Sequence, residues 1–310
     1  MDILITGISG FVGSYLTREW RSKYTLYGIS QNKKQGVQKT WTWEELQSLP
    51  EVDVIVHLAG KAHDVKDTSA ESIYFEINTE LTKKIFDFFL TSECRTFIFF
   101  SSVKAVADYV PGDILREDVE PRPIGPYGES KIKAEEYILS KLPMAHALGK
   151  KVYILRPCMI HGPGNKGNLN LLYKVVSARV PWPLGAYENK RSFCSIENIS
   201  YVVEQLTIRT DIESGIYNVC DDDPLSTNDL IDLISTTLGR SGVIWKLPQG
   251  VINFLASVGQ ILHLPLTKER LVKLTENYVV SNDKIKNALG ISKMPITASD
   301  GIISTIRSFR

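Results

Sequence analysis

Asp2-Ile3-Leu4-Ile5, followed by Thr6-Gly7-Ile8-Ser9-Gly10-Phe11-Val12-Gly13, is the stretch that decides the fold. The first four residues read as a short strand covered on both faces. The glycine-rich turn then opens directly into an amphipathic helix running to about Trp20. Strand, turn and helix in this order are the parts of a dinucleotide cradle. Glycine serves the turn in two ways. It takes dihedrals that other residues avoid, and without a Cβ it lets a pyrophosphate reach the main chain. The helix N-terminus adds free N–H groups and about half a positive charge. The spacing is Gly-x-x-Gly-x-x-Gly, not Gly-x-Gly-x-x-Gly. Glycines at such a junction also serve close packing, but the strand before them and their place at the head of the chain favour the cradle.

Outward from this stretch, strands and helices alternate. Residues 24–29, 52–58, 96–100, 152–155 and 216–219 read as strands, and 43–49, 78–90, 128–141, 169–178 and 228–238 as helical. Strands with continuous apolar runs, separated by helical crossovers, argue for an α/β chain with a parallel sheet covered on both faces. Function in such a sheet collects at the carboxyl ends of the strands. After Arg156 the pattern breaks into proline- and glycine-rich loops around one helix, and the remainder reads as a smaller, mostly helical C-terminal lobe. The expected division assigns 1–164 and 192–220 to the sheet domain and 165–191 with 221–310 to the lobe.

The chain has 310 residues, enough for a large core, with 36 Lys and Arg against 35 Asp and Glu. A net charge of +1 without a basic field argues against a nucleic-acid partner. The four cysteines, Cys94, Cys158, Cys194 and Cys220, are widely spaced, which fits reduced thiols in the cytoplasm and no metal site. The first residues enter a strand at once, so no signal peptide is expected. The apolar stretch 251–264 is too short to span a bilayer and reads as core or lobe surface.

Chemistry is signalled most strongly by Tyr127-Gly128-Glu129-Ser130-Lys131. Tyrosine and lysine four apart on a helix lie on one face. A phenol of ordinary pKa about 10 is a poor acid–base at neutral pH, and a neighbouring ammonium draws it towards the working range. Lysine can also hold a nicotinamide ribose. The strand 96–100 ends in Ser101-Ser102. A hydroxyl there can hydrogen-bond the oxygen of an alcohol or ketone while the tyrosine moves its proton. His57 and His161 read as packed, hydrogen-bonded histidines rather than bases. Asp221-Asp222-Asp223 reads as a turn before a helix capped by Ser226 or Thr227.

These pieces, in this order, resemble the extended short-chain dehydrogenase/reductases, and more narrowly the nucleotide-sugar epimerases and dehydratases. The resemblance runs through Thr6–Gly13, Asp53-Val54-Ile55-Val56-His57-Leu58-Ala59-Gly60, Asn78, Ser101-Ser102 and Tyr127 with Lys131. It continues through Leu155-Arg156-Pro157, His161-Gly162-Pro163-Gly164, Arg191-Ser192-Phe193, Ile196-Glu197-Asn198 and Tyr217-Asn218-Val219. It implies a doubly wound (Rossmann) sheet with Ser102, Tyr127 and Lys131 as catalytic residues. Gly7, Gly10, Phe11, Val12 and Gly13 would line the pyrophosphate, and Leu58, Ala59 and Gly60 would pass beneath the cofactor. Ser30, Lys33, Asn78 and Pro157, with Tyr127 and Lys131, complete the expected cofactor contacts. Asn168 and Arg191, with Ser102 and Tyr127, complete those to a nucleotide-sugar substrate. It also implies a homodimer packed through the helices at 78–90 and 128–141.

Two departures refine the expectation. A site for NAD usually carries an acid after the second strand to accept from a ribose hydroxyl. Gly28-Ile29-Ser30-Gln31-Asn32-Lys33-Lys34 has none, which leans towards NADP(H) over NAD(H). Dehydratases of the resembled family carry Asp-Glu directly after the hydroxyl residue, where this chain has Val103-Lys104. The expectation is therefore hydride chemistry at C4 of a nucleotide-linked sugar, bound to UDP. A 4-keto-sugar reductase of surface-polysaccharide synthesis comes first and a 4-epimerase second. A non-catalytic dinucleotide-binding redox sensor is the alternative of another class.

Overall fold

The computed structural model describes residues 1–30, 36–61, 71–165, 167–262 and 267–309. Its strands are β1 (Asp2–Thr6), β2 (Thr25–Ile29), β3 (Lys39–Trp41), β4 (Val54–His57), β5 (Thr96–Phe100), β6 (Lys151–Pro157), β7 (Met159–His161), β8 (Phe193–Ser195) and β9 (Gly215–Val219). Seven of them form one sheet in the order β3-β2-β1-β4-β5-β6-β9, and every pairing is parallel. The chain leaves β1 towards one edge and returns at β4 to build the other half. The crevice of a doubly wound sheet therefore opens above the carboxyl ends of β1 and β4. Strands β7 and β8 form a separate parallel pair.

Period-two alternation sorts the strand residues between two apolar layers. Ile3, Ile5, Val54, Val56, Ile98 and Leu155 face one layer. There they meet Leu16 and Trp20 of α1 (Phe11–Trp20) and Val202, Val203 and Leu206 of α7 (Ile196–Ile208). Leu4, Ile55, Phe97, Phe99 and Ile154 face the other layer. They pack on Ile85, Phe86 and Phe89 of α3 (Leu81–Thr91) and on Ala134 and Ile138 of α4 (Pro126–Ser140).

Several elements differ from the sequence expectation. Helix α7 was not anticipated, although Ser195 caps it by accepting from the Asn198 N–H and its buried residues recur at helical spacing. The helix expected to open at Asn78 instead runs on from α2 (Glu71–Tyr74) through a π-helical stretch, Phe75–Glu80, into α3. Asn78 lies inside that stretch because its side chain is buried and bonded to neighbouring elements rather than capping a helix end. Helix α4 begins at Pro126, earlier than expected, because proline suits a first helical position. The short β3 and α5 (Leu142–Ala147) were also missed.

The C-terminal part is mostly helical, with α6 (Asn168–Ser177), α8 (Thr227–Thr237), α9 (Gln249–Leu262), α10 (Lys268–Thr275), α11 (Asp283–Leu289) and α12 (Ala298–Arg307). Leu169, Phe193, Ile231, Ile234, Ile302 and Ile306 make one apolar cluster there, and Leu184, Ile252, Ala256 and Leu271 a smaller one. Of the two cap residues considered for α8, the structure uses Ser226, in a capping box with Asp229. On α9, Ile252 and Ala256 are buried while Val251, Phe254 and Leu255 are exposed. Among the described residues no helix is long and apolar enough to cross a membrane.

Candidate active site

The glycine turn closes against the end of β4. Gly7 has φ +70°, and a Cβ on it would lie 2.8 Å from the Ala59 nitrogen. On Gly13 a Cβ would lie 2.3 Å from the Gly7 carbonyl oxygen. Both positions therefore require glycine, and the backbone of Leu58 and Ala59 runs directly beneath the turn. Gly10 is the N-cap of α1; no side chain caps that end and its first turn carries no acid. The first N–H groups of a helix have no intrahelical partner, so they face the crevice with the positive end of the helix dipole. Phe11 lies against Gly162, where a Cβ would come within 3.3 Å of its ring. This cradle fits a dinucleotide pyrophosphate, by glycines that bare the backbone and by a first helical turn that carries no acid.

Ser102, Tyr127 and Lys131 converge at the carboxyl end of β5. Ser102 follows that strand and caps a 3₁₀ turn, Val103–Ala105, by accepting from the Lys104 N–H at 3.2 Å. Tyr127 stands in the first turn of α4, close enough to the Ser102 hydroxyl for that group to lower its pKa. Against the expectation that the neighbouring ammonium draws it down, the phenol pKa is pushed up by burial; the Ser102 hydroxyl lowers it and the nearby Tyr74 raises it further. The two phenol rings meet edge to face, 6.4 Å between centroids. One turn further, Lys131 is buried and donates from Nζ to the Phe100 carbonyl at 2.8 Å. Burial draws its pKa down from 10.5 to about 8, with Glu135 holding it up. A Cβ on Gly60 would lie 3.1 Å from Lys131 Nζ and 2.9 Å from Asn78 Oδ1. The β4 end, the π-helical stretch and α4 therefore meet around one point.

Asn78 ties these elements together. Its Oδ1 accepts from the Lys61 N–H at 2.8 Å, and its Nδ2 donates to the Ser130 hydroxyl at 2.9 Å and the Lys61 carbonyl at 3.2 Å. Ser130 in turn donates to the Tyr127 carbonyl at 2.9 Å. His57 anchors the same region from below. The Thr82 hydroxyl donates to the Asn78 carbonyl at 2.7 Å, so its oxygen must accept the proton carried on His57 Nε2 at 2.8 Å. His57 Nδ1 then accepts from Thr6 at 2.6 Å, and the Thr6 oxygen accepts from the Ala59 N–H at 3.0 Å. Burial, then the field of Lys131, lowers the His57 pKa to about 3. It is a neutral structural link. His161 is likewise buried, 2.9 Å from the Thr305 hydroxyl.

The remaining expected residues are placed as follows. Pro157 closes β6 beside Val219, and Ser30 follows β2 with its N–H on the Trp41 carbonyl at 2.9 Å. Lys33 lies outside the described residues. Asn168 is exposed at the first position of α6. The Arg191 guanidinium reaches the end of α10. Nε donates to the Glu276 carbonyl at 3.3 Å, and Nη2 contacts the Lys273 carbonyl and Glu276 Oε1, the latter at 3.2 Å. Among the described residues no group of three or more His, Cys, Asp or Glu could hold a metal ion.

Sequence reasoning gave no role to Gly128 or Ser101, which it quoted, and passed over Glu135. A Cβ on Gly128 would lie 2.4 Å from the Lys104 carbonyl oxygen. Glu135 sits four residues after Lys131, a same-face spacing that could have pointed to it. It is fully buried, hydrogen-bonded to the Ser101 hydroxyl and clasped by Arg156, with Nε at 3.1 Å from both carboxylate oxygens and Nη2 at 2.6 Å from Oε2.

Residues 3–220 match the sequence pattern of the NAD dependent epimerase/dehydratase family. A UDP-glucose 4-epimerase of Vibrio cholerae is 28% identical over 324 residues, covering 99% of this chain and 95% of that protein. An N-acetyl-alpha-D-glucosaminyl-diphospho-ditrans,octacis-undecaprenol 4-epimerase of Escherichia coli O157:H7 is 25% identical over 80% of this chain and 75% of its own. The crystal structure of a UDP-glucuronic acid 4-epimerase from Bacillus cereus, in complex with NAD, superposes with a TM-score of 0.75. It is 19% identical and covers 100% of this chain and 98% of that one.

Proposed function

This chain belongs to the NAD dependent epimerase/dehydratase family, and from that premise we propose that it moves hydride at C4 of a nucleotide-linked sugar, with ketoreduction as its net reaction. The observation that carries this reading is the approach of Tyr127 to Ser102 one helical turn from Lys131, which is buried and bonded to the Phe100 carbonyl at the end of β5. The glycine turn at residues 7–13 and the backbone of residues 58–60 would hold the dinucleotide, and Lys131 its ribose. When bound in reduced form, it supplies the hydride. Everything else falls to side chains. Ser102 hydrogen-bonds the sugar O4 and fixes the carbonyl in place. Tyr127 passes its proton to that oxygen, and the Lys131 ammonium stabilises the phenolate left behind.

Two features support reduction. Burial keeps the Tyr127 phenol protonated at neutral pH, the form a donor needs. The stretch after β2 offers no carboxylate to a ribose 2′-hydroxyl, which favours NADP(H) over NAD(H). The place of Val103 and Lys104, where a dehydratase would carry acids, argues against elimination of water. Arg191 would face the substrate diphosphate and Asn168 would add a further substrate contact, on a UDP-linked hexose or N-acetylhexosamine of surface-polysaccharide synthesis. The near full-length likeness to the Vibrio cholerae 4-epimerase favours epimerisation as the second reading. The family resemblance supports a homodimer through α3 and α4, and the four buried free thiols support a cytoplasmic setting.

The test is stoichiometric. Purified protein is incubated with a UDP-4-keto-hexosamine and NADPH or NADH, and product is counted against cofactor consumed. One-for-one consumption supports the reductase. Interconversion of UDP-linked C4 epimers with no net change in cofactor replaces it with the epimerase, and no turnover of either substrate sinks both.

A further inference from the structure

Glu135 is a fully buried carboxylate with no place in the chemistry set out above. Burying a carboxylate is costly unless charge and hydrogen bonds surround it. Here Arg156, also buried, offers it a forked grip, and the Ser101 hydroxyl donates to Oε1. These partners are not scattered. Ser101 is the residue before Ser102, at the end of β5. Arg156 precedes Pro157 at the end of β6. Glu135 itself lies on α4, one turn beyond Lys131 and two beyond Tyr127. One carboxylate therefore fastens both strand ends to the helix that bears the phenol and the ammonium.

The geometry points to Glu135 as a positioning residue that locks the Ser102 strand end against α4 and supplies the counter-charge of Lys131. This rests on the proposed use of Tyr127 and Lys131 as catalytic residues. Apart from Glu135, the titratable groups around Lys131 are Tyr127 one turn back on its own helix, His57 at the end of β4, whose pKa the Lys131 charge lowers, and Arg156 of β6, which bonds Glu135. Neutral His57 gives it no negative charge, and Arg156 is engaged by Glu135 itself. Among the described residues, Glu135 is the acid whose field holds the ammonium charged against burial. The alignment is economical in sequence, because residues 127, 131 and 135 recur every four positions and so share one helix face.

The experiment compares wild type, Glu135→Gln, Glu135→Asp and Ser101→Ala in kcat against pH and in dinucleotide affinity measured by fluorescence titration. The wild-type rate should fall on an alkaline limb near pH 8, where Lys131 loses its proton. Without the carboxylate charge the ammonium is held less firmly, so Glu135→Gln should move that limb down by about one pH unit. Glu135→Asp keeps the charge but draws it back from Ser101 and Arg156. Its limb should stay in place while kcat drops about tenfold. Ser101→Ala leaves no charge unpaired, which makes it the measure to rely on if Glu135→Gln does not fold; its kcat should drop at least threefold, with dinucleotide affinity unchanged. A Glu135→Gln limb at the wild-type pH, or wild-type kcat in Ser101→Ala, overturns the proposal. A wild-type enzyme that turns over no nucleotide sugar overturns the functional reading instead, so the two failures are told apart.

Discussion

Gly128 presses against the carbonyl of Lys104 so closely that a Cβ on it would lie 2.4 Å from that oxygen. The contact seats the first turn of α4 on the 3₁₀ turn after Ser102, and it decides how near Tyr127 comes to that hydroxyl. Gly128→Ala must push the two apart. We expect kcat to fall at least tenfold, with a stability loss of about 1–3 kcal/mol from overpacking. Steady-state kinetics and urea unfolding check it, and a Gly128→Ala enzyme with wild-type kcat would refute the seating role.

Tyr127→Phe removes the phenol proton and keeps the ring against Tyr74. Turnover should drop by about 10²–10⁴, the usual worth of a positioned acid. Dinucleotide affinity should stay within about twofold, since the cradle is built from other elements. Measuring both on one preparation separates a lost proton donor from a lost cofactor.

His57 makes stability depend on acid. Its pKa is lowered from 6.5 to about 3, so between those values the unfolded chain binds a proton that the native state refuses. Stability from this group is whole above pH 6.5 and drains away as pH falls towards 3, by at most about 1.4 kcal/mol per unit. Glutamine can bond Thr6 and Thr82 without titrating. His57→Gln should therefore show a shallower loss of urea midpoint between pH 6.5 and 4, and equal slopes would count against the assignment.

Arg191 is already engaged by Glu276 and by the end of α10. If its guanidinium is to face a substrate diphosphate, the Glu276 carboxylate competes for it. Glu276→Gln should lower KM for the nucleotide sugar about two- to threefold and leave kcat unchanged. Arg191→Lys, which loses the planar fork, should raise KM about tenfold. Movement of kcat alone in either variant would place Arg191 elsewhere in the reaction.

All four cysteines are free and buried. Burial pushes the thiols of Cys158 and Cys194 well up and that of Cys94 to about 12. Ellman's reagent should therefore count almost no thiols in native protein at pH 8, and four after urea. Rapid native labelling would contradict the packing.

Much of the cradle could be read before any coordinates, because β1, its turn and α1 are contiguous and each obeys a local rule. The Tyr127–Lys131 pair was legible for the same reason: four residues on a helix share a face whatever surrounds them. Glu135 extends that face by one more step, yet its meaning depends on Arg156 and Ser101, brought to it by strand pairing that no local pattern records. Gly128 was quoted in the sequence, but its contact with Lys104 exists only after α4 docks. Helix α7 was missed although Ser195 and its buried stripe were plain, because the proline- and glycine-rich stretch before it drew the reading towards loops.

The π-helical stretch at Phe75–Glu80 carries one residue more than a regular turn would hold. That surplus sets the phase between Tyr74, which meets Tyr127, and the α3 stripe that meets the sheet. Trimming a single residue there would turn everything on one side by about 100° relative to the other, withdrawing Asn78 from Lys61 and Ser130 together. The segment should accept exchanges of side chain more readily than any change in length, so that in this stretch the number of residues matters more than their identity.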